Sequence, residues 1–196
     1  MVTSTASNSA IDISSRALIL IGADAITAFD DGSTEATIAT NMYEDVCRTA
    51  LTNTRWRFAT NQATLNLLSS APTGRYDRAY QIPSDSLMIH AVTVNDNVID
   101  YQTYGDKIYA DTSTTDSLIA DYTFRVGEDK FPSYFILALE YSLASVFATS
   151  IARDANLANL MTNAASNAMA KARSLDSQSQ TTRKLITSRY LTNRRS

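Results

Sequence analysis

RWRFATNQATLNLL, Arg55 to Leu68, carries the only tryptophan of the chain between two arginines and then alternates apolar with polar side chains. Upstream, from Glu35 to about Asn53, the residues Ile38, Met42, Val46, Ala50 and Leu51 recur at helical spacing. Downstream, Phe58, Leu65 and Leu67 fit the two-residue period of strands. The period therefore changes at Trp56, from helix to sheet. The tryptophan is expected to plug that junction, with Arg55 and Arg57 turned toward carboxylates or solvent.

Working outward, Ile11, Ser14, Ala17, Leu18 and Ile21 share one face of a first helix over Ser9 to Ile21, stopped by Gly22. Ile26 and Phe29 are expected to tuck a loop onto the core, and Ser33 or Thr34 to cap the second helix. Beyond Trp56, the segments RAYQIP, SLMIHAVTV, VIDYQTY, KIYAD and SLIADYTFRV read as strands. Short turns at Asn95-Asp96-Asn97 and Gly105-Asp106 join them, the spacing of an antiparallel sheet or small sandwich. Pro132 then suits the first turn of a helix that is apolar on nearly every side from Ser133 to Ala152. Asp154 or Asn156 caps a last helix, whose stripe runs Leu157, Leu160, Met161, Ala164, Ala168, Met169, Ala172 and Leu175, before DSQSQTTRK reads as a polar linker.

Both helical pairs have an apolar face to cover, so they are expected to pack together across the strands. The expected fold class is α+β: a four-helix α domain interrupted by an antiparallel β insertion, with an extended C-terminal arm. The expected limits are residues 1–55 plus 129–177 for the helical domain, 56–128 for the β-rich insertion and 178–196 for the arm.

Composition narrows the function. The single cysteine, Cys47, has no internal disulfide partner, which suits a reducing compartment. RALILIGADA imitates a secretion signal, but its apolar run is too short and Asp12 precedes it. No run is expected to reach transmembrane length, so no membrane role is expected. The net charge of −3 hides an asymmetry: from Lys171 onward seven cations face one anion, a net of +6, so the preceding residues carry −9. An acidic body repels nucleic acid and offers a basic arm to an acidic partner.

Catalytic chemistry has little to work with. One histidine, His90, and one cysteine make a Cys-His dyad an accident of folding, and cannot complete a four-ligand zinc site. Strand alternation places His90 on the face opposite Ile89. Asp30-Asp31-Gly32 and the series Asp106, Asp111, Asp116 lack the alternating acids of a calcium loop and read as turns. Five scattered glycines form no phosphate-cradling loop. Glu35, Glu44, Glu128 and Glu140 are the glutamates from which a glycosidase pair would have to come, and helix surfaces account for them equally well. No catalytic residue, metal or cofactor is assigned, and the chain is read as a non-enzyme. The alternatives kept open are a wall-degrading tail accessory enzyme and a carbohydrate- or protein-binding module built on the strands.

The order of several strings resembles the head-to-tail adaptor proteins of short-tailed bacteriophages, the tail tubular protein A type. The strings are Trp-x-Phe (Trp56, Phe58), then Tyr-x-x-Pro-x-Asp (Tyr80, Pro83, Asp85), then a hairpin, then FPSYFILALEYSLA, which opens on Phe131 and Pro132. These seven residues are read as the domain-junction framework. The resemblance covers most of the chain from the second helix onward. It implies a ring, twelvefold, beneath the capsid portal, joined to the tail nozzle protein and often to tail fibres. DNA would pass through the lumen without specific binding, and the ring would belong to the virion neck, assembled in the host cytoplasm. Members commonly grip the portal protein with a C-terminal arm; here that position is held by Gln178 to Ser196, with Arg183, Lys184, Leu185, Ile186, Arg189, Tyr190, Leu191, Arg194 and Arg195 as the expected portal-binding residues.

Overall fold

Three polar side chains start three of the helices, each by satisfying amide groups that have no partner within the helix. Ser9 and Asp12 exchange hydrogen bonds in a capping box before α1, Ala10–Leu20. Ser33 accepts the N–H of Ala36 ahead of α2, Thr34–Thr52, and Asp154 accepts those of Asn156 and Leu157 ahead of α4, Ala155–Gln178. The remaining helix, α3, spans Ser133–Phe147 directly after Pro132, whose carbonyl accepts from Phe135 and Ile136. The computed structural model describes residues 8–69 and 74–179. The portal-arm residues Arg183, Lys184, Leu185, Ile186, Arg189, Tyr190, Leu191, Arg194 and Arg195 lie outside the described residues.

α3 is the central helix, packing against α1, α2 and α4. One continuous core joins the four helices with Trp56, Ala59, Val126 and Phe131, so residues from both ends of the chain bury each other. The apolar length of this helix was underrated in the sequence. Ser133–Ala152, α3 with the π-turn Ala148–Ala152 that follows it, is long and apolar enough to cross a membrane by length and composition. Here it is the core helix, with Phe135, Leu139, Leu143, Ala144 and Phe147 fully buried. Arg153, in the left-handed conformation at φ 51°, then breaks the chain direction before α4.

Between α2 and α3 lie eight strands: β1 Thr60–Thr64, β2 Asn66–Leu67, β3 Arg78–Gln81, β4 Ser86–Val94, β5 Asn97–Val98, β6 Gln102–Tyr104, β7 Lys107–Ala110 and β8 Leu118–Phe124. They form two antiparallel four-stranded sheets, ordered β1-β8-β4-β5 and β2-β3-β7-β6. A second, smaller core of Leu65, Tyr80, Val92, Ile108, Ala110, Leu118 and Ala120 draws on both sheets. Three connections stay within a sheet, β2 to β3, β4 to β5 and β6 to β7, and the last two are two-residue hairpins. Asn95 and Asp96 both take positive φ between the paired Val94 and Asn97, and Gly105 does so between Tyr104 and Lys107.

Several details depart from the sequence reading. VIDYQTY is not one strand: β5 and β6 belong to different sheets, and residues 99–101 cross between them. β4 does not alternate simply, because Leu87 and His90 each fall at a register shift against β8. These bulges re-phase the strand so that Leu87 packs on the helical core while Ile89, Val92 and Val94 serve the sandwich core. The buried face of α2 is Ala36, Ala39, Tyr43, Cys47, Ala50 and Leu51, one step round from the expected Ile38, Met42 and Val46, because small side chains let α2 approach its neighbours closely. Ile13 joins the buried face of α1. On α4, Leu160 and Leu175 are exposed and Asp176 is buried, and the helix continues through the start of the expected linker to Gln178.

Candidate functional site

Two chain crossings connect the helices to the sandwich, and the expected framework residues other than Tyr80 lie at or beside them. At the first, Trp56 is fully buried and its indole N–H donates to the carbonyl of Ala50, 2.9 Å away. Its ring meets Phe135 nearly edge-on at 5.2 Å between centroids, and Phe58 lies 5.8 Å away. Phe131 closes the cluster, 4.9 Å from Phe135 and 6.1 Å from Phe58. Such offset aromatic packing adds to burial and fixes relative orientation. Arg55 points outward to Asp121, 3.1 Å away, a carboxylate that also accepts from Gln62.

At the second crossing, Arg125 follows β8 and binds two acids at once. Its guanidinium contacts Glu44 of α2 at 3.0 Å and Glu128 at 2.5 Å, with the Phe131 ring 5.8 Å from its central carbon. Tyr43 adds a hydrogen bond from its hydroxyl to Glu128, 3.2 Å. Burial pulls the Arg125 pKa down, yet the bonds to Glu44 and Glu128 outweigh it and raise the value. Burial likewise pushes Glu44 up, but the hydrogen bonds from Arg125 and Arg48 hold its carboxyl below the ordinary value.

The remaining framework residues divide between the two cores. Asp85 belongs to this second crossing: its carbonyl accepts the N–H of Arg125 at 3.2 Å, and its carboxylate faces the buried Tyr122 hydroxyl. Pro83 shapes the turn before β4, where its carbonyl accepts from Ser86. Tyr80 lies elsewhere. It fills the sandwich core and shares a 2.7 Å hydrogen bond with Thr112, so it belongs to the smaller core rather than to the junction. Arg125, Glu44 and Glu128, with Asp176, which accepts the Arg57 N–H and the Tyr134 hydroxyl, are junction groups that the motif reading did not assign. The spacing Met169, Ala172, Asp176 follows one helical face and was the available signal, masked by the polarity of the last residue.

The candidate chemical groups are occupied with structural work. His90 shares a 2.7 Å hydrogen bond with Thr123, and burial followed by the Arg55 charge lowers its pKa. Cys47 is buried in the helical core, and burial pushes its thiol up to about 12. Glu140 pairs with Arg16 at 2.9 Å, and burial raises its pKa against the pull of that cation. Asp31 accepts the N–H and hydroxyl of Ser33 and Asp116 the N–H of Ser113, so both organise local turns; Asp111 instead accepts the N–H of Asp77 across the ends of β3 and β7, a contact between strands rather than the expected turn. Asp106 accepts from the Gln81 amide in its own hairpin turn. Among the described residues no three His, Cys, Asp or Glu side chains gather as a metal-ligand group. Glu44 and Glu128 share one guanidinium instead of facing each other across a cleft.

Some large apolar side chains of the core helices remain on the surface. Leu137 of α3 is 48% exposed, and Leu160 and Leu175 of α4 are 60% and 49% exposed, although each helix contributes to the core. A cleft of about 250 Å³ opens between α2 and α4 over α3, lined by Val46, Ala50, Met169 and Ser142 with Asp45 and Asn53 at its rim. Leu137 and Ser142 are five residues apart on one helix, which sets them about 140° apart around its axis. A comparison with protein-family models and with curated proteins finds no match to this chain.

Proposed function

We propose that this protein is a structural head-to-tail connector, a ring-forming adaptor that sits beneath a phage portal, joins it to the tail nozzle and lets DNA pass through its lumen. It acts without catalysis of its own, in the neck of a virion assembled in the host cytoplasm. The observation that carries the reading is the pair of features on opposite sides of α3: an exposed leucine on one side and an apolar cleft on the other. Ring closure requires heterologous contacts, in which one patch of each subunit meets a different patch of the next. A projecting side chain and a cleft about 140° apart supply that asymmetry.

The order of sequence strings supports the same reading, as does the division of charge. An acidic body, −9 before Lys171, disfavours retention of a passing phosphate backbone, whereas the basic stretch that follows suits an acidic surface on the portal. The fixed junction at Trp56 and Arg125 would hold the sandwich outside the helical ring at a constant angle, presenting it to nozzle or fibre proteins.

The test pairs two variants. Leu137→Asp places a charge on the projecting side and should leave the monomer folded while preventing lateral assembly on a portal. Removing residues 180–196 spares every described helix and should abolish portal binding with no loss of melting temperature. Ring formation by the first variant together with portal binding by the second would remove the reading.

A further inference from the structure

Asp176 joins both crossings to the end of the last helix. Its Oδ2 accepts the backbone N–H of Arg57 at 3.1 Å, and its Oδ1 accepts the hydroxyl of Tyr134 at 2.9 Å. Arg57 immediately follows Trp56, where the chain leaves the helices; Tyr134 lies in the first turn of α3, where it returns. The carbonyl of Asp176 in turn accepts both the N–H and the hydroxyl of Ser179, which closes the last turn of α4.

This placement reverses two ordinary preferences. Asp176 is 4% exposed while the neighbouring Leu175 is 49% exposed, so the acid is inside and the apolar side chain outside. The acid also sits at the C-terminal end of a helix, where the helix dipole favours cations. The two hydrogen bonds offset the cost of burying this carboxylate, and they form only when both donors hold one arrangement around it. The arrangement specified here is the rotation of the last turn of α4 against both crossings.

We propose that Asp176 is a positioning residue that fixes the direction in which the chain leaves α4, and thereby couples anything holding residues 180–196 to the junction between helices and sandwich. The inference deepens the connector reading, which names the portal as what holds that segment. A load on the segment would reach Arg57 and Tyr134 through a single carboxylate. The hydroxyl of Tyr134 carries a mark of the contact, since burial and then Asp176 push its pKa up to about 12.

The experiment uses the full chain with Gln178→Cys, at the exposed end of α4, and Asn61→Cys spin-labelled, Cys47 being buried and inert to the label. In the wild-type background the label pair should give one narrow distance distribution. Asp176→Ala should broaden it at least twofold, and Asp176→Asn, which keeps one acceptor oxygen, should fall between the two. The exchange rate of the Arg57 amide should rise about tenfold in the alanine variant, with the Trp56 fluorescence unchanged to show that the core is intact. A distribution as narrow in Asp176→Ala as in wild type, with the Arg57 amide already exchanging faster, would overturn the proposal. Failure of the wild-type chain to bind portal would remove the connector reading instead, and leave the distance distributions to judge Asp176 by themselves.

Discussion

The helical part and the sandwich are stabilised in different ways. Among the described residues the helical core holds twenty-three buried apolar side chains and the sandwich core seven, so most of the hydrophobic stabilisation belongs to the helices. The helices also bury charge, in Glu140 and Asp176, each with a named partner. Among the described residues the sandwich buries no charged side chain, and it depends on two-residue hairpins and strands of two to nine residues. A small sandwich with little core of its own draws stability from what it is fastened to. The fastening, at Trp56, Arg125 and Asp176, therefore matters more than the strands taken alone.

That contrast can be broken most severely at Trp56. Trp56→Ala removes a fully buried side chain of the helical core at the crossing into β1 and should destabilise the protein by about 3–5 kcal/mol, read as a shift in the chemical denaturation midpoint. Next comes the ionic fastening. Arg125→Met leaves Glu128 without its cation and Glu44 with Arg48 alone; about 2 kcal/mol is expected, less than for a fully buried pair because Glu44 keeps solvent contact. In this variant the strands should unfold before the helices, so near-ultraviolet and helical signals should separate into two transitions where the wild type shows one. Coincident transitions would mean that the sandwich holds itself together.

A smaller change isolates the sandwich. Tyr80→Phe loses only the hydrogen bond to Thr112, about 1 kcal/mol, and should lower the protection of β3 and β7 amides while α3 is unaffected. The smallest effect is a pH dependence confined to the helices. The folded protein holds the Glu140 proton more tightly than the unfolded chain, so stability from this group falls as pH rises from the ordinary value of 4.5 through the raised folded one. Glu140→Gln should therefore match wild type in acid and gain on it progressively toward neutrality, a trend that melting temperatures from pH 4 to 7 will show. Glu44 has the opposite sign, its contribution being lost as pH falls below its ordinary range.

Much of this architecture was legible in the residues, because helical period, caps and hairpin turns are local signals. The change of period at Trp56, the caps at Ser33 and Asp154 and the strand Ser86–Val94 all followed from neighbours in sequence. What escaped was set by tertiary context. The bulges at Leu87 and His90 exist because β4 serves two cores, which alternation along one strand cannot reveal. Asp176 was read as the start of a linker because an isolated acid belongs in water; two donors distant in sequence bring it inside. Arg125 gives no local signal for the same reason, its partner Glu44 lying in another element altogether. Tyr80 was grouped with the junction by its place in a motif, whereas its contacts are with the sandwich.

The most direct test of the connector account is the mass of a portal ring before and after mixing with this protein, measured by native mass spectrometry. The account predicts a gain of one adaptor mass per portal subunit, twelve for a twelvefold portal, and a loss of that gain when residues 180–196 are removed. A portal whose mass does not change in the presence of excess folded protein would contradict it.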